Sequence, residues 1–191
     1  MSNLYKFMIP TLIIVAIILL PLFYGISIYN GLVRKKYLMQ EGWSSIDVFL
    51  KKRNDLLPNL METVKGYATH EKELFENVTK ARNLVRNANS ISEYSEADNA
   101  LKNSMMNLFA ISENYPELKA NQNFINLQNE LSSLEDEIEM ARRYYNGVVR
   151  DNNTYIETFP SNIIANMFNF KEGTFFEIKD SSERETTKIS F

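Results

Sequence analysis

The stretch HEKEL, His70 to Leu74, carries the opening of the zinc-hydrolase pattern H-E-x-x-H. In that pattern two histidines one helical turn apart hold the metal and the glutamate acts as base. Here the second ligand position is Leu74, and His70 is the chain's only histidine, so a zinc site fails on ligand count. A di-iron carboxylate bundle fails in the same way, because it needs two Glu-x-x-His units. Glu130, Glu135, Asp136, Glu137 and Glu139 crowd one helix, which reads as a solvated charged face. With no cysteine, thiolate ligands, thiol nucleophiles and disulfides are all excluded. Ser44 and Ser45 beside Trp43 have no histidine or acid at a triad spacing in the sequence, and neither G-x-S-x-G nor a glycine-rich phosphate loop occurs. The expectation is a protein without catalytic residues, cofactor or small-molecule substrate. The net charge of −3 argues against a nucleic-acid partner.

Three other stretches are dense in functional groups. KKRNDLLPNL places Arg53, Asp55, Pro58 and Asn59 close together. ENYPELKAN holds Glu113, Tyr115 and Pro116, and ARRYYNGVVRDNNTY holds Arg142, Arg143, Tyr145 and Asn146. These are the candidate structural or interaction residues. Arg53 interrupts an otherwise apolar stripe, and Arg142 or Arg143 borders another. A buried arginine must find a carboxylate, which favours a register-fixing network over a recognition surface. Asp55, Glu62 and Glu113 are candidate partners for Arg53.

The elements that must position these residues are helical. Phe7 to Val33 contains no charged residue, and about 20 apolar residues suffice to cross a bilayer as a helix. Residues 7–28 are therefore expected to form a transmembrane helix, preceded by a short non-cytoplasmic N-terminus at 1–6. A signal peptide fits less well, because the apolar run is long and GIS is a poor cleavage site. Arg34, Lys35 and Lys36 follow the span, against Lys6 alone before it. The positive-inside rule then places the rest of the chain in the cytoplasm. The same three cations are expected to contact anionic lipid.

Beyond the span, apolar residues recur at three- and four-residue steps, as bundle helices require. Trp43, Ile46, Leu50, Arg53, Leu57, Leu60, Val64 and Tyr67 form one stripe, and Leu74, Val78, Ala81, Leu84/Val85 and Ala88 a second. Leu101, Met105, Leu108 and Ile111/Ser112 form a third. The longest runs from Phe124 through Leu131, Ile138, Ala141 and Tyr145 to Asn152 and Tyr155/Ile156. Asn87–Asp98 and Glu113–Asn121 read as breaks, with Asn121 or Asn123 capping the next helix. Ser161 is expected to cap a short helix through Phe168. Phe168, Phe170, Phe175 and Phe176 would dock this last segment. The fold class is all-α: an N-terminal transmembrane helix, then an up-down four-helix bundle over 29–177 with a short extra C-terminal helix, then a flexible polar tail at 178–191. Two geometries stay open at Pro58. The stripe running in phase across it favours a continuous, kinked helix. Cap grammar favours a new helix started by Asp55.

Lys51–Arg82, Ile111–Asn153 and Phe159–Glu177, together with YNGLVRKK at Tyr29–Lys36, closely resemble the LemA family over nearly the whole chain. The departures are Asn54, where an aromatic residue is common, the segment Asn89–Asn99, and the tail after Glu177. The resemblance implies a membrane-anchored bundle of long helices and no established enzymatic activity. Some relatives are linked to building bacterial organelle membranes, and others accompany membrane-protein quality control. The expected function is a single-pass, non-enzymatic scaffold or adaptor at the cytoplasmic face of the bacterial plasma membrane. Its partners would be an unidentified membrane or cytoplasmic protein, with possible self-association. The alternative is a membrane-shaping or lipid-binding module, and a hydrolase with an unrecognised site ranks below both.

Overall fold

A computed structural model describes the backbone of residues 2–177 and the side chains of residues 8–177. The tail at 178–191 lies outside the described residues. Four long helices dominate: α1 (Ser2–Lys65), α2 (Lys72–Asn87), α3 (Ile91–Ala110) and α5 (Gln122–Glu157). The short helix α4 (Pro116–Lys119) follows a 3-10 turn at Ile111–Asn114, and α6 (Ser161–Met167) follows α5. Among the described residues there is no strand. The chain forms two compact units, to both of which α1 and α5 contribute. One unit comprises Met1–Glu41 with Gly147–Gly173, the other Gly42–Asn146 with the chain from Thr174 onward.

Sequence grammar explains the boundaries. Ser90 caps α3, its hydroxyl accepting the Glu93 amide at 3.2 Å. The Glu93 carboxylate reaches back to the Asn89 amide at 2.8 Å, a capping-box arrangement shifted by one residue. Asn121 caps α5 by accepting the Phe124 amide at 3.0 Å, as expected. Pro116 stands at the first position of α4, where its missing N–H costs nothing. Helix α6 ends in a Schellman motif. Asn169 adopts the left-handed region at φ 57°. The Phe170 amide then bonds to the Ala165 carbonyl at 2.9 Å, and the Asn169 amide to the Asn166 carbonyl at 3.3 Å.

Three expectations need correction, and the choice left open at Pro58 is decided. Helix α1 runs unbroken through Pro58 to Lys65, so the continuous geometry holds and Asp55, an exposed mid-helix residue, caps nothing. Asn87–Asp98 is not one long break: only Ala88–Ser90 separates α2 from α3, and Asp98 lies inside α3. Tyr67 falls beyond the end of α1 and is exposed rather than part of the first stripe. Ser161 is the first residue of α6, and its hydroxyl donates backwards to the Thr158 carbonyl at 2.9 Å instead of capping.

In the unit built on Gly42–Asn146, the stripes meet as one core of Leu57, Leu60, Val64, Val78, Ala81, Leu101, Leu108, Phe124 and Leu131. In the other unit, Ile28 and Leu32 of α1 pack with Ile156 and Ala165. Helix α1 is the one helix among the described residues long and apolar enough to cross a membrane, and only 6% of its apolar window is buried by the protein itself.

Candidate functional site

In the unit built on Gly42–Asn146, three helices converge on a charge centre. Arg53 of α1 is fully buried at the position where the first stripe has its gap. It donates to Asp98 of α3, also fully buried, and to Glu135 of α5 at 2.8 Å. Arg142, about two helical turns beyond Glu135 on α5, pairs with the other Asp98 oxygen. Lys102 joins Glu135 from the solvent side at 3.3 Å. Two arginines against Asp98 and the partly exposed Glu135 make the set neutral. That balance lets Arg53, Asp98 and Arg142 sit inside a helical core, where an unpaired charge would cost several kcal/mol. Burial pushes the Arg53 pKa down, while the nearby Glu135 pulls it back up. The guanidinium nevertheless stays charged, as arginine does in proteins.

Beside this centre lies an aromatic cluster. Trp43 meets Tyr94 at 5.1 Å and Tyr145 at 6.1 Å edge-on, and the tilted ring of Phe176 at 6.2 Å. The Arg142 guanidinium lies 4.8 Å from the centre of the Phe176 ring. The extended C-terminal segment that carries Phe176 is fixed by polar side chains of α5. Asn146 donates to the Phe176 carbonyl at 3.0 Å and accepts its amide at 2.9 Å. The Tyr145 hydroxyl donates to the Thr174 carbonyl at 2.8 Å, and burial raises its pKa. Ser95 of α3 holds the Glu177 carbonyl.

The same device recurs within the other unit. Asn153 donates to the Gly173 carbonyl at 3.0 Å and accepts its amide at 2.7 Å. Asn146 and Asn153 are seven residues apart on one face of α5. Each side-chain amide supplies the donor and acceptor pair that a neighbouring β-strand would supply, so Gly173 and Phe176 have both backbone groups satisfied without a sheet. Gly173 is required by close approach: a Cβ there would lie 2.6 Å from the Met39 sulfur and 3.3 Å from Val149.

The sequence candidates therefore separate into two groups. Arg53, Arg142, Tyr145 and Asn146 belong to the charge centre and its clamp. The remainder stand apart from it. Arg143 is exposed and pairs with Glu139 at 3.1 Å. Glu113 pairs with Lys119 at 2.7 Å, so neither it nor the exposed Asp55 and Glu62 is the partner of Arg53. Tyr115 is half-buried and donates to Glu71 at 3.2 Å. Pro58 is half-buried within α1, and Asn59 is exposed, its carbonyl accepting the Thr63 hydroxyl at 2.9 Å. Arg34 and Lys36 are exposed, while Lys35 lies 5.3 Å from the centre of the Tyr155 ring. Glu135 is not merely part of a solvated face, since it reaches into the buried centre. Asp98 escapes a reading of the sequence because it sits in a polar stretch. A signal is nevertheless present: Tyr94, Asp98, Leu101, Met105 and Leu108 continue the third stripe backwards in three- and four-residue steps.

A family model described as the LemA family matches residues 42–191. The chain belongs to the LemA family. That match spans the charge centre and both asparagine clamps. The chain is 27% identical over 155 residues to Protein LemA of Metamycoplasma hominis, covering 79% of this chain and 69% of that one. It is 22% identical over 181 residues to Magnetosome protein MamQ 1 and to Magnetosome protein MamQ 2 of Paramagnetospirillum magneticum, covering 81% of this chain and 66% of each. In this LemA chain the buried charged residues Arg53, Asp98 and Arg142 are engaged with one another.

Proposed function

We propose that this LemA chain is a single-pass, membrane-anchored scaffold or adaptor. In this reading its bundle binds another protein at the cytoplasmic face of the bacterial plasma membrane and performs no catalysis. The observation that carries the reading is how the polar groups are used. Arg53, Asp98, Arg142 and Tyr145 are consumed by internal partners, as groups that hold a shape would be. The outer surface keeps apolar side chains available, with Met140 and Tyr144 exposed four residues apart on α5, where they share a face. The uncharged run Phe7–Val33 supports the anchor, and Arg34, Lys35 and Lys36 support the inward orientation.

The chain contains no cysteine, so single cysteines report cleanly. Glu130→Cys, on the exposed surface of α5, should resist a membrane-impermeant maleimide in intact cells and react after lysis. Reaction in intact cells would reverse the orientation. A photocrosslinker at Met140 or Tyr144 should then yield discrete adducts with protein neighbours, a second copy of this chain included. A second reading, a lipid-binding or membrane-shaping module, draws on the juxtamembrane cations and on the names of the magnetosome relatives. It predicts adducts with lipid in place of protein.

A further inference from the structure

Helix α6 and the residues around it form a segment, Thr158–Phe170, of 13 residues without a charge. Its inner side docks on α1. Ala165 is fully buried with Ile28 and Leu32, and the Phe168 ring meets Tyr29 edge-on at 4.8 Å. A Cβ on Gly25 would lie 3.7 Å from the Ile164 side chain. The outer side is apolar and uncovered. Phe159 is 77% exposed, Ile163 53% and Met167 69%. Ile163 and Met167 stand four residues apart on α6 and so share a side of that helix, with the exposed Phe159 in the turn before it and the half-exposed Phe168 just after it. A short stretch of soluble surface rarely concentrates so much bare hydrophobe without a function.

The place where α6 docks identifies what covers it. Gly25, Ile28 and Tyr29 are the closing part of the same uncharged run that serves as the anchor, and Arg34 begins the cationic cluster five residues after Tyr29. Five residues of helix rise about 7.5 Å. Interfacial helices bury their apolar faces about 5–10 Å into the boundary between headgroups and acyl chains. Glu157 and Lys171 bracket the uncharged segment, so the charges of the chain stop on either side of the part that meets α1.

We propose that α6 and the residues flanking it form an interfacial membrane segment, inserting Phe159, Ile163, Met167 and Phe168 into the lipid boundary beside the end of the α1 span. This rests on the reading of α1 as a membrane anchor and adds a second, peripheral contact with lipid. The segment would fix the roll of α1 in the bilayer, because only one side of α1 can carry it.

The test uses the full chain, made fluorescent with an environment-sensitive dye at single cysteines and reconstituted into phosphatidylethanolamine–phosphatidylglycerol vesicles carrying nitroxide lipids. The positions are Met167→Cys and Ile163→Cys on α6, Leu20→Cys in the span and Glu130→Cys on the bundle, all on exposed side chains. Dye on α6 should be blue-shifted and quenched several-fold more by shallow nitroxides than dye at position 130. Dye at position 20 should respond to deep nitroxides. Quenching at position 20 with none at 163 and 167 would overturn the interfacial helix and leave the anchor intact. A blue shift on α6 without quenching would mean that protein covers it, which also overturns the proposal. No quenching at position 20 would remove the anchor, and the interfacial helix with it.

Discussion

Asp98→Asn keeps the shape of the buried centre and removes the anion that two arginines share. Deleting one member of a buried ion pair costs about 3–5 kcal/mol, because the remaining charge is left uncompensated. Arg53 would retain Glu135 at 2.8 Å, and Arg142 would keep its position over the Phe176 ring, a contact worth about 0.5–2 kcal/mol. Those residual contacts put the expected loss at the lower end, about 3 kcal/mol, or more than a hundredfold in the folding equilibrium. For a chain of this size that corresponds to a fall in Tm of about 6–12 °C. The assay is urea unfolding of the full chain in detergent micelles, followed by the helical circular dichroism signal. Replacing the three deeply buried charges with apolar residues (Arg53→Met, Asp98→Leu and Arg142→Met together), which leaves the partly exposed Glu135 to Lys102, should behave differently. Such exchanges are often neutral or stabilising by about 1–4 kcal/mol. A loss below about 1 kcal/mol for Asp98→Asn, within the range of ordinary surface substitutions, would refute the central role given to this carboxylate. A triple variant less stable than the single one would refute the explanation by uncompensated charge.

Asn146→Ala should speed hydrogen exchange at the Phe176 amide while leaving Gly173 protected, and Asn153→Ala should do the reverse, since each side chain accepts one of those amides. Gly173→Ala should destabilise by about 1–3 kcal/mol through overpacking against Met39 and Val149. Adding Met39→Ala should return part of that loss in the same unfolding assay. Burial raises the Tyr145 pKa above the usual phenol value, so its stabilising contribution is complete below about pH 10 and is lost as pH rises through the folded-state pKa. Tyr145→Phe should therefore cost about 1 kcal/mol at neutral pH, through the hydrogen bond to Thr174, and should flatten the alkaline limb of the stability profile. Pro58→Ala should raise stability by up to about 3 kcal/mol, because α1 continues through this position and proline withholds an amide from it.

Periodicity makes much of the fold legible in the sequence. The α5 stripe is visible from Phe124 to Ile156 because one face is buried along its length, and the structure buries Phe124, Leu131, Ile138, Tyr145, Val149 and Asn152 as that pattern requires. Arg53 stands out because a charge inside an apolar stripe demands a partner. The partner itself is hidden. Asp98 sits among serine, glutamate and asparagine residues whose composition signals turns, and nothing local marks it as buried until α3 is extended back to Ser90. The stripe crossing Pro58 in phase is the better guide there, since tertiary packing of the apolar face outweighs the penalty of one proline. The clamped segment around Gly173 and Phe176 has no period of its own. Its position is set by side chains of α5 and by Ser95 of α3, so only the recurrence of Asn146 and Asn153 at seven residues hints at it. The uncharged stretch Thr158–Phe170 is legible as aromatic docking, but its bare outer side emerges only once Ala165 and Ile164 are seen facing α1.

The proposed scaffold role is tested most directly by photocrosslinking in native membranes. A crosslinker is placed in turn at Met140 and Tyr144 on the exposed face of α5 and at Arg143 between them, with Leu84 of α2 as a second exposed site. The account predicts discrete, position-dependent protein adducts, reproduced at Met140 and Tyr144 and lost when both are changed to serine and the crosslinker is moved to Arg143. Adducts absent at every position, or formed indiscriminately at all of them, would contradict a protein-binding bundle.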